Sequence, residues 1–356
     1  MPSFLVETAQ QTCPIVVERG ALARVGEYLP ERRGKVFVVS TEDVWRLHGA
    51  ALLRSLGDAE VLFLPPGETH KRLAELEQLA EQMVERGGDR ASIMVAFGGG
   101  IVTDVGGFLA AVFMRGIPVI QVPTTLLAQV DAAIGGKTGV NLRAGKNLIG
   151  SFHQPLRVMI DPAVLDTLSE REYRAGLFEV VKHGIIADAD LFNLMRHRPD
   201  AVLAHQPDVV ERMIADSVRI KSEVVSGDER ESGRRMILNL GHTFGHALEA
   251  ETDYARLLHG EAVAWGLRAS ARLAVLEGVL SREDEAAIAE CVSSYGPFPS
   301  LDGLQAEALA ARLRHDKKTT RGKTSFVLPE RIGLVRITAD VDPARVLAAI
   351  EETLHW

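Results

Sequence analysis

Four side chains have the types and the spacing of a metal site. His242 and His246 lie four residues apart in the segment LNLGHTFGHALE, so a helix would present both imidazoles on one face. His259 stands just before another predicted helix, in LLHGEAVAWG, and Glu179 lies in GLFEVVKHG. Nitrogen and oxygen ligands of this kind hold Zn²⁺ in catalytic sites that keep one coordination position open. Spacing alone predicts that His242 and His246 are both ligands; histidines that cap a helix or fill a core are the alternative.

Glu179 has a potential partner on its own helix. Lys182 follows three residues later and shares its helix face. Most Glu–Lys pairs on helices are exposed, but Phe178, Val180 and Val181 give this turn apolar neighbours. Buried charges need a partner or a metal, so the turn is a candidate for either.

A run of three glycines indicates a second site. Gly98-Gly99-Gly100 follow an apolar run, 93–97, and precede a helical segment of small residues, 104–113. A strand, a glycine turn and a helix form the unit in which backbone N–H groups at a helix start bind a phosphate. The run is not the G-x-G-x-x-G fingerprint, so by itself it fits a purely structural turn as well.

The charge distribution narrows the class of ligand. The 356 residues carry a net charge of −8, which argues against a general nucleic-acid-binding protein. Positive charge is concentrated in two segments, 137–146 and 314–323. Positive pockets within an acidic protein favour an anionic small molecule, whereas solvated loop lysines are the alternative for either segment.

Composition also indicates a cellular compartment. The two cysteines, Cys13 and Cys291, are far apart and form no disulfide framework, which fits a reducing environment. The first twenty residues show no secretory signal, and the longest apolar stretch, 108–114, is too short to span a bilayer. We therefore expect a cytoplasmic protein without membrane or nucleic-acid partners.

The elements that must position these residues differ between the two halves of the chain. Up to about residue 160, short apolar runs alternate with helical segments, which predicts a Rossmann-like, mainly parallel sheet. Its strand-end loops, 40–43, 66–71, 98–104 and 123–125, would converge on one nucleotide site. We expect residues 137–147, with Lys137, Arg143, Lys146 and Asn147, to form a loop.

Amphipathic helix dominates from about residue 169 to residue 290, so a domain boundary is expected within 161–170. The predicted organisation is an α/β nucleotide-binding domain, 1–165, and a mainly α-helical domain, 166–356, that carries the candidate metal ligands. The tail would add a helix over 304–314, a strand pair near 326 and 334, and a last helix over 343–354.

Eight motifs, in chain order, resemble those of the 3-dehydroquinate synthase family, the sugar-phosphate cyclases of the shikimate pathway. They are GGGxxxD, MRGI, QVPTTLLAQVDAAIGGKTGVN, GKNLIGSFHQP, EVVKHG, LNLGHTFGHALE, LHGEAV and DKK. The resemblance extends from about residue 65 to residue 328 and is weakest in the first forty residues.

This resemblance implies a reaction. Members of the family convert 3-deoxy-D-arabino-heptulosonate 7-phosphate to 3-dehydroquinate and phosphate, in an active site between an NAD-binding and a metal-binding domain. NAD is used catalytically: the C5 hydroxyl is oxidised, phosphate is eliminated, the ketone is reduced again, and the opened ring closes in an intramolecular aldol step.

The resemblance implies a ligand set that differs from the one predicted by spacing. Glu179, His242 and His259 would hold Zn²⁺ or Co²⁺, whereas His246 would face the substrate phosphate. We follow the resemblance, since a helix can direct one imidazole to a metal and that of the next turn elsewhere. A Lewis-acidic metal would stabilise the alkoxide and polarise the carbonyl formed by hydride removal.

The resemblance also assigns the other polar side chains. Arg235 and Lys221 match positions that bind the substrate carboxylate, for which arginine offers a bidentate fork. Arg115 matches a residue supplied by the other subunit, which implies a homodimer. The substrate pocket, chiefly its phosphate end, would also contain Lys137, Lys146, Asn147, Asn239, His246, Lys317 and Lys318, with Asp131 and Lys182 as further charged groups. The NAD contacts would be Thr41, Glu68, Lys71, Gly99, Gly100, Asp104, Thr124, Thr125, Asp131, Lys137, Lys146, Asn147, Val164, Thr167 and Leu168.

Two positions depart from the family pattern. Thr41, followed by Glu42 and Asp43, stands where many members have an aspartate that holds the adenosine ribose. His183 replaces the commoner tyrosine of the E-x-x-K-Y-G motif.

Three other functions share some of these sequence features. A 2-deoxy-scyllo-inosose or 2-epi-5-epi-valiolone synthase would act on a substrate without a carboxylate and would not need Arg235 and Lys221. A metal-dependent alcohol or glycerol dehydrogenase shares the GGGxxxD domain but not the lysine-rich segment 137–146. A non-catalytic NAD- or metal-binding module would not require the complete set. The sequence thus favours a 3-dehydroquinate synthase.

Overall fold

The computed structural model describes residues 3–9, 11–314 and 324–355. The chain forms two compact units: Met1–Ser169 with Lys221–Arg230, and Glu170–Ile220 with Glu231–Trp356. The predicted phosphate contacts Lys317 and Lys318 lie outside the described residues.

The first unit is built on a mainly parallel sheet. Its strands and the associated hairpin are β1 (Ser3–Glu7), β2 (Thr12–Val17), β3 (Val36–Ser40), β4 (Glu60–Phe63), β5 (Ile93–Gly98), β6 (Val119–Pro123), β7 (Lys137–Leu142), β8 (Gly145–Phe152) and β9 (Arg157–Ile160). Among the described residues, seven strands form one sheet in the order β1-β2-β9-β6-β5-β3-β4. Only β1 and β2 pair antiparallel within it, which confirms the predicted Rossmann-like class.

Helices cover both faces of this sheet. They are α1 (Glu42–Val44), α2 (Ala50–Leu56), α3 (Leu73–Glu85) and α4 (Gly100–Val112), with 3₁₀ segments Ala21–Tyr28, Glu68–His70, Phe113–Arg115 and Pro162–Thr167 and π-helical turns Trp45–Gly49 and Ala128–Ala132. Side chains alternate between the faces of a strand. Val36 and Val38 therefore pack with α2, and Phe37 and Val39 with α3 and α4. Burial on both faces explains the uninterrupted apolar runs of the sequence.

Two local predictions in the first unit were inaccurate. Lys137, Lys146 and Asn147 do not lie on an irregular loop, because β7 and β8 pair as an antiparallel hairpin. Helix α4 begins at Gly100 rather than near residue 104, so the glycines form its start. Both segments are rich in glycine and polar residues, which obscures periodicity.

The second unit is mainly helical. Its helices are α5 (Glu170–Ala187), α6 (Ala189–His197), α7 (Pro199–Leu203), α8 (Pro207–Gly227), α9 (His242–Glu251), α10 (His259–Leu276), α11 (Arg282–Ser293), α12 (Ala306–Arg314) and α13 (Pro343–Thr353). A 3₁₀ segment, Arg234–Asn239, precedes α9, and β10 (Phe326–Arg331) pairs antiparallel with β11 (Leu334–Thr338). The last turns of α8 belong to the first unit.

Both cysteines are buried and unbridged. Burial raises the pKa of the Cys13 thiol to about 12 and that of the Cys291 thiol to about 12. No helix in the described ranges is long and apolar enough to cross a bilayer.

Candidate active site

The carboxyl ends of the parallel strands present most of the predicted NAD contacts. Five parallel strands contribute: Thr41 follows β3, Glu68 and Lys71 follow β4, Gly99 and Gly100 follow β5, Thr124 and Thr125 follow β6, and Val164, Thr167 and Leu168 follow β9. Neighbouring parallel strands end at the same sheet edge, where open α/β folds bind their ligands. The fold therefore gathers residues separated by more than a hundred positions in the sequence.

The glycine turn leaves room for a ligand at the start of α4. A Cβ atom on Gly99 would lie 2.9 Å from Thr125 Cγ2, which is closer than side-chain packing allows. The buried Thr124 hydroxyl has no hydrogen-bond partner among the described residues. The first N–H groups of a helix also lack partners within it. Donors of both kinds fit the phosphates and hydroxyls of a dinucleotide.

Five residues form the strand-end cluster: Glu68, Lys71, Asp104, Asn141 and Asn147. The buried Lys71 ammonium donates to Asp104 Oδ2 and to Asn147 Oδ1, both at 2.5 Å. Burial raises the pKa of the Asp104 carboxyl, and the adjacent Lys71 charge opposes that shift. Asn141, which sequence reasoning missed, donates to Glu68 Oε1 at 2.7 Å and accepts from the Asn147 N–H at 2.8 Å.

A separate ion pair in the first unit joins two predicted substrate residues. Lys221, near the end of α8, donates to Asp131 Oδ1 and to the Asp131 carbonyl, both at 2.6 Å. Lys221 is buried and Asp131 is partly buried. The ammonium is thus held in one place by two oxygen atoms.

The predicted metal ligands come together in the second unit. Glu179 lies on α5, while His242 and His259 are the first residues of α9 and α10. Glu179 Oε1 is 3.5 Å from His242 Nε2 and 3.8 Å from His259 Nε2. One ligand atom from each residue lies within 4.8 Å of the others. With His246, these residues form the histidine cluster.

Close backbone contacts bring the three helices together. A Cβ on Gly260 would lie 1.9 Å from the Ala175 carbonyl oxygen of α5, and one on Gly266 would lie 1.9 Å from the Gly241 carbonyl oxygen before α9. Neither position tolerates any side chain without displacement. The glycines of LHGEAVAWG therefore serve helix packing that lets ligands from three helices meet.

Each of the two predicted ligand histidines is anchored through its second ring nitrogen. His242 Nδ1 lies 3.1 Å from the Leu240 carbonyl oxygen, and His259 Nδ1 lies 3.4 Å from Glu249 Oε2. These acceptors favour the tautomer with a proton on Nδ1 and a lone pair on Nε2, which is the arrangement that suits metal ligation. Sequence reasoning missed Glu249, although its spacing of seven residues from His242 places both on one helix face.

This donor set fits a divalent cation. Glu179 is fully buried, and Oε1, its carboxylate oxygen nearest His242 and His259, accepts no hydrogen bond from a described residue. The Lys182 ammonium lies beside Glu179 Oε2 as the predicted same-face pair. Two imidazole nitrogens and a carboxylate oxygen are ligands that Zn²⁺ and related ions accept.

His246 lies one turn further along α9, beside the other two histidines. Its ring centroid is 5.5 Å from that of His242 and 6.0 Å from that of His259. His246, Glu249 and His259 also place ligand atoms within 4.8 Å of one another. The cluster therefore offers a second donor set, and the role of His246 as a non-ligand stays a prediction.

The remaining predicted residues differ in exposure. Arg235 is buried in the 3₁₀ segment before α9, where Asn239 Nδ2 donates to Glu231 Oε1 at 2.7 Å. Lys137 is exposed at the start of β7. Arg115 is exposed and has a φ of 72°, in the left-handed region that residues other than glycine seldom adopt.

Comparison with known proteins identifies the family. The family model described as 3-dehydroquinate synthase N-terminal matches residues 61–175, and that described as 3-dehydroquinate synthase C-terminal matches residues 176–319. The chain belongs to the 3-dehydroquinate synthase family. A 3-dehydroquinate synthase of Solibacter usitatus is 59% identical over 356 residues, covering 99% of this chain and 100% of that protein.

Solved structures of two other cyclases have the same architecture. A 2-deoxy-scyllo-inosose synthase, complexed with carbaglucose-6-phosphate, NAD⁺ and Co²⁺, is 25% identical with a TM-score of 0.88, covering 99% of this chain and 100% of that one. A 2-epi-5-epi-valiolone synthase from Streptomyces hygroscopicus, with NAD⁺ and Zn²⁺ bound, is 28% identical with a TM-score of 0.86, covering 99% of each chain. The fold is thus that of sugar-phosphate cyclases in general.

Proposed function

We propose that this chain converts 3-deoxy-D-arabino-heptulosonate 7-phosphate to 3-dehydroquinate and phosphate. The observation that carries the proposal is the convergence of Glu179, His242 and His259 in a chain of this family. When bound, NAD would accept and return a hydride, and Zn²⁺ or Co²⁺ would polarise the substrate oxygen atoms. The residues that would hold the cation are Glu179, His242 and His259, and those after the parallel strands would hold NAD.

Lys221 and Arg235 would bind the substrate carboxylate. Both are almost completely buried, with exposed fractions of 5% and 2%. The attraction between a carboxylate and a cation is stronger in a buried site than at the surface, because the effective dielectric constant is lower there. The contact of Lys221 with Asp131 fixes the ammonium before substrate arrives.

The phosphate end of the substrate would be bound by cations and amide donors. Lys137, Lys146, Asn147, Asn239, His246, Lys317 and Lys318 are assigned to it by resemblance to the family motifs. Lysine and protonated imidazole donate hydrogen bonds to phosphate oxygens and balance the charge that develops as the C–O bond breaks.

A homodimer in the cytoplasm is part of this proposal. Val112, Met114, Leu148 and Phe152 are exposed apolar side chains, close in sequence to Arg115 or on the hairpin strand β8. A second subunit that covers such side chains would also bring an arginine toward its neighbour. The two buried, unbridged cysteines support a reducing compartment.

A second cyclase activity is the alternative function. The two solved cyclases described above support it, because their overall structures are so similar to this one. Arg235 and Lys221 favour the carboxylated substrate instead. Turnover of a sugar phosphate that lacks a carboxylate, at a rate equal to that of the carboxylated substrate, would favour the alternative.

Phosphate release from 3-deoxy-D-arabino-heptulosonate 7-phosphate tests the proposal. We expect release with NAD and Zn²⁺, no net accumulation of NADH, loss of activity with a chelator and recovery when metal is returned. Stoichiometric NADH from a simple polyol without phosphate release would instead indicate a dehydrogenase.

A further inference from the structure

The β7–β8 ladder is irregular at Asn141. Val140 pairs with Ile149 and Leu142 pairs with Gly145, so Asn141 alone faces three residues of β8, 146–148. Such a bulge disrupts the ladder and redirects side chains. Within it, Asn147 adopts a φ of 53°, and its N–H donates to the Asn141 side chain at 2.8 Å rather than to the backbone of the opposite strand.

Asn141 also binds the segment that follows β4. Its side-chain N–H₂ donates to Glu68 Oε1 at 2.7 Å, and its backbone N–H donates to the Lys71 carbonyl at 2.8 Å. Only 5% of the Asn141 surface is exposed, so water would poorly replace any of these hydrogen bonds that was lost. One residue therefore connects the bulge with a loop seventy residues earlier in the chain.

These contacts fix groups that the proposed function assigns to NAD. The Lys71 ammonium bridges Asp104 and Asn147, so the position of Asn147 decides whether this bridge closes. Asn141 directly contacts Glu68, Lys71 and Asn147, and reaches Asp104 through Lys71. The asparagine amide carries both a donor and an acceptor on one planar group close to the backbone, without a change of protonation state.

We propose that Asn141 is a positioning residue that sets the affinity for NAD by holding the β8 bulge against the segment Glu68–Lys71. The inference rests on the proposed function, because it takes its NAD contacts from there. Asn141 acts through its neighbours. Its loss should therefore weaken cofactor binding more than it slows turnover by the loaded enzyme, because Asn141 itself is not among the residues assigned to the substrate.

The test is the dissociation constant for NAD, measured by titration calorimetry in the full-length protein without substrate. Asn141→Ala should raise this constant on the order of 10- to 100-fold, since two hydrogen bonds to binding groups are lost. The value of kcat at saturating NAD and substrate should fall by a smaller factor than the NAD affinity, and the metal content should not change. Asn193→Ala, at an exposed position of α6, is the matched control.

Asn141→Asp separates positioning from general stability. This variant keeps the acceptor for the Asn147 N–H. It replaces the amide donor to Glu68 with a second carboxylate, so the two side chains repel each other. Adding Glu68→Gln restores a donor between the two side chains. The NAD penalty of Asn141→Asp should therefore be several-fold smaller in the Glu68→Gln background than in the wild type, as a double-mutant cycle reports.

Two results would overturn the inference. The first is an NAD dissociation constant unchanged in folded Asn141→Ala and Asn141→Asp, with only the melting temperature lowered, which would make Asn141 purely structural. The second is a loss of NAD affinity on Asn141→Asp that is equal in the wild-type protein and in the Glu68→Gln variant. Failure of the proposed function is distinguishable, because it is measured as absent phosphate release by the wild-type protein, whereas this inference is measured as a change in NAD affinity between wild type and variants.

Discussion

The strand-end cluster and the histidine cluster differ in how their charged groups are balanced. In the first, the Lys71 ammonium already contacts the Asp104 carboxylate and the Asn147 amide oxygen. In the second, one carboxylate oxygen and two imidazole nitrogens converge, and their Nδ1 anchors turn lone pairs toward one another. Converging lone pairs repel unless a cation or proton lies between them. The first cluster pairs its charges within the protein. In the second, the Lys182 ammonium lies beside Glu179 Oε2, while Glu179 Oε1 and the two Nε2 atoms converge as a donor set that suits a divalent cation.

The largest effect is expected when the histidine cluster loses a ligand. His259→Ala should remove the metal and lower turnover by more than about 10³-fold, because a three-residue site rarely holds its ion with two ligands. Elemental analysis after dialysis measures the metal directly. His197→Ala, an exposed histidine on α6, is the control. Full metal content in His259→Ala would exclude His259 as a ligand.

Removing a counter-charge from the strand-end cluster should act on stability instead. Lys71→Met leaves the partly buried Asp104 carboxylate without its ammonium, which should lower the free energy of unfolding by about 1–3 kcal/mol at neutral pH. Urea unfolding followed by fluorescence measures this value. Lys35→Met, at an exposed surface lysine, should cost much less.

The sign of the pH dependence follows from the raised pKa of Asp104. In Lys71→Met that pKa should rise further above its value of 3.8 in the unfolded chain. As the pH falls through the folded-state pKa, Asp104 becomes neutral and the variant regains stability relative to the wild type. A stability difference that grows between pH 7.5 and pH 5 would contradict the assignment.

His246→Ala distinguishes the two donor sets of the histidine cluster. If His246 contacts substrate, the variant should keep its metal and lose on the order of 10²- to 10³-fold in turnover. Metal analysis and rate measurement on one preparation are needed together. An empty metal site in this variant would show that the simple spacing of four residues had predicted the ligands correctly.

A smaller effect is expected at the predicted carboxylate site. Arg235→Ala should raise KM for the carboxylated substrate on the order of 10- to 100-fold, because a charge-assisted bidentate contact is lost. Arg90→Ala, an exposed arginine, should leave KM unchanged. An unchanged KM in Arg235→Ala would remove Arg235 from carboxylate binding.

The sequence predicted the parts of this molecule that follow from local pattern. Strands β3 and β5 are continuous runs of β-branched and apolar residues, and the resemblance supplied Glu179, His242 and His259, which the structure brings together. Spacing alone also predicts His246 as a metal ligand. Local pattern and family motifs together therefore predicted residues that the fold brings to one place, and their role as metal ligands stays a prediction.

The features that the sequence did not predict depend on contacts between residues far apart in the chain. The β7–β8 hairpin pairs Lys137 with Phe152 through polar and glycine-rich strands that lack an alternating pattern. Asn141 and Glu68 are seventy-three residues apart, and neither residue type alone indicates the other. The assignment of Lys221–Arg230 to the first unit likewise reflects contacts that helix periodicity does not report.

The burial of Cys13 and Cys291 has a practical consequence. Because burial raises their pKa values to about 12, almost no thiolate is present near neutral pH, and both sulfur atoms are inaccessible to bulky reagents. A cysteine introduced at an exposed position, such as Asn193→Cys, would then be the principal site for a maleimide dye. The protein can thus be labelled at one chosen site with little reaction at its own cysteines, which need not be removed first.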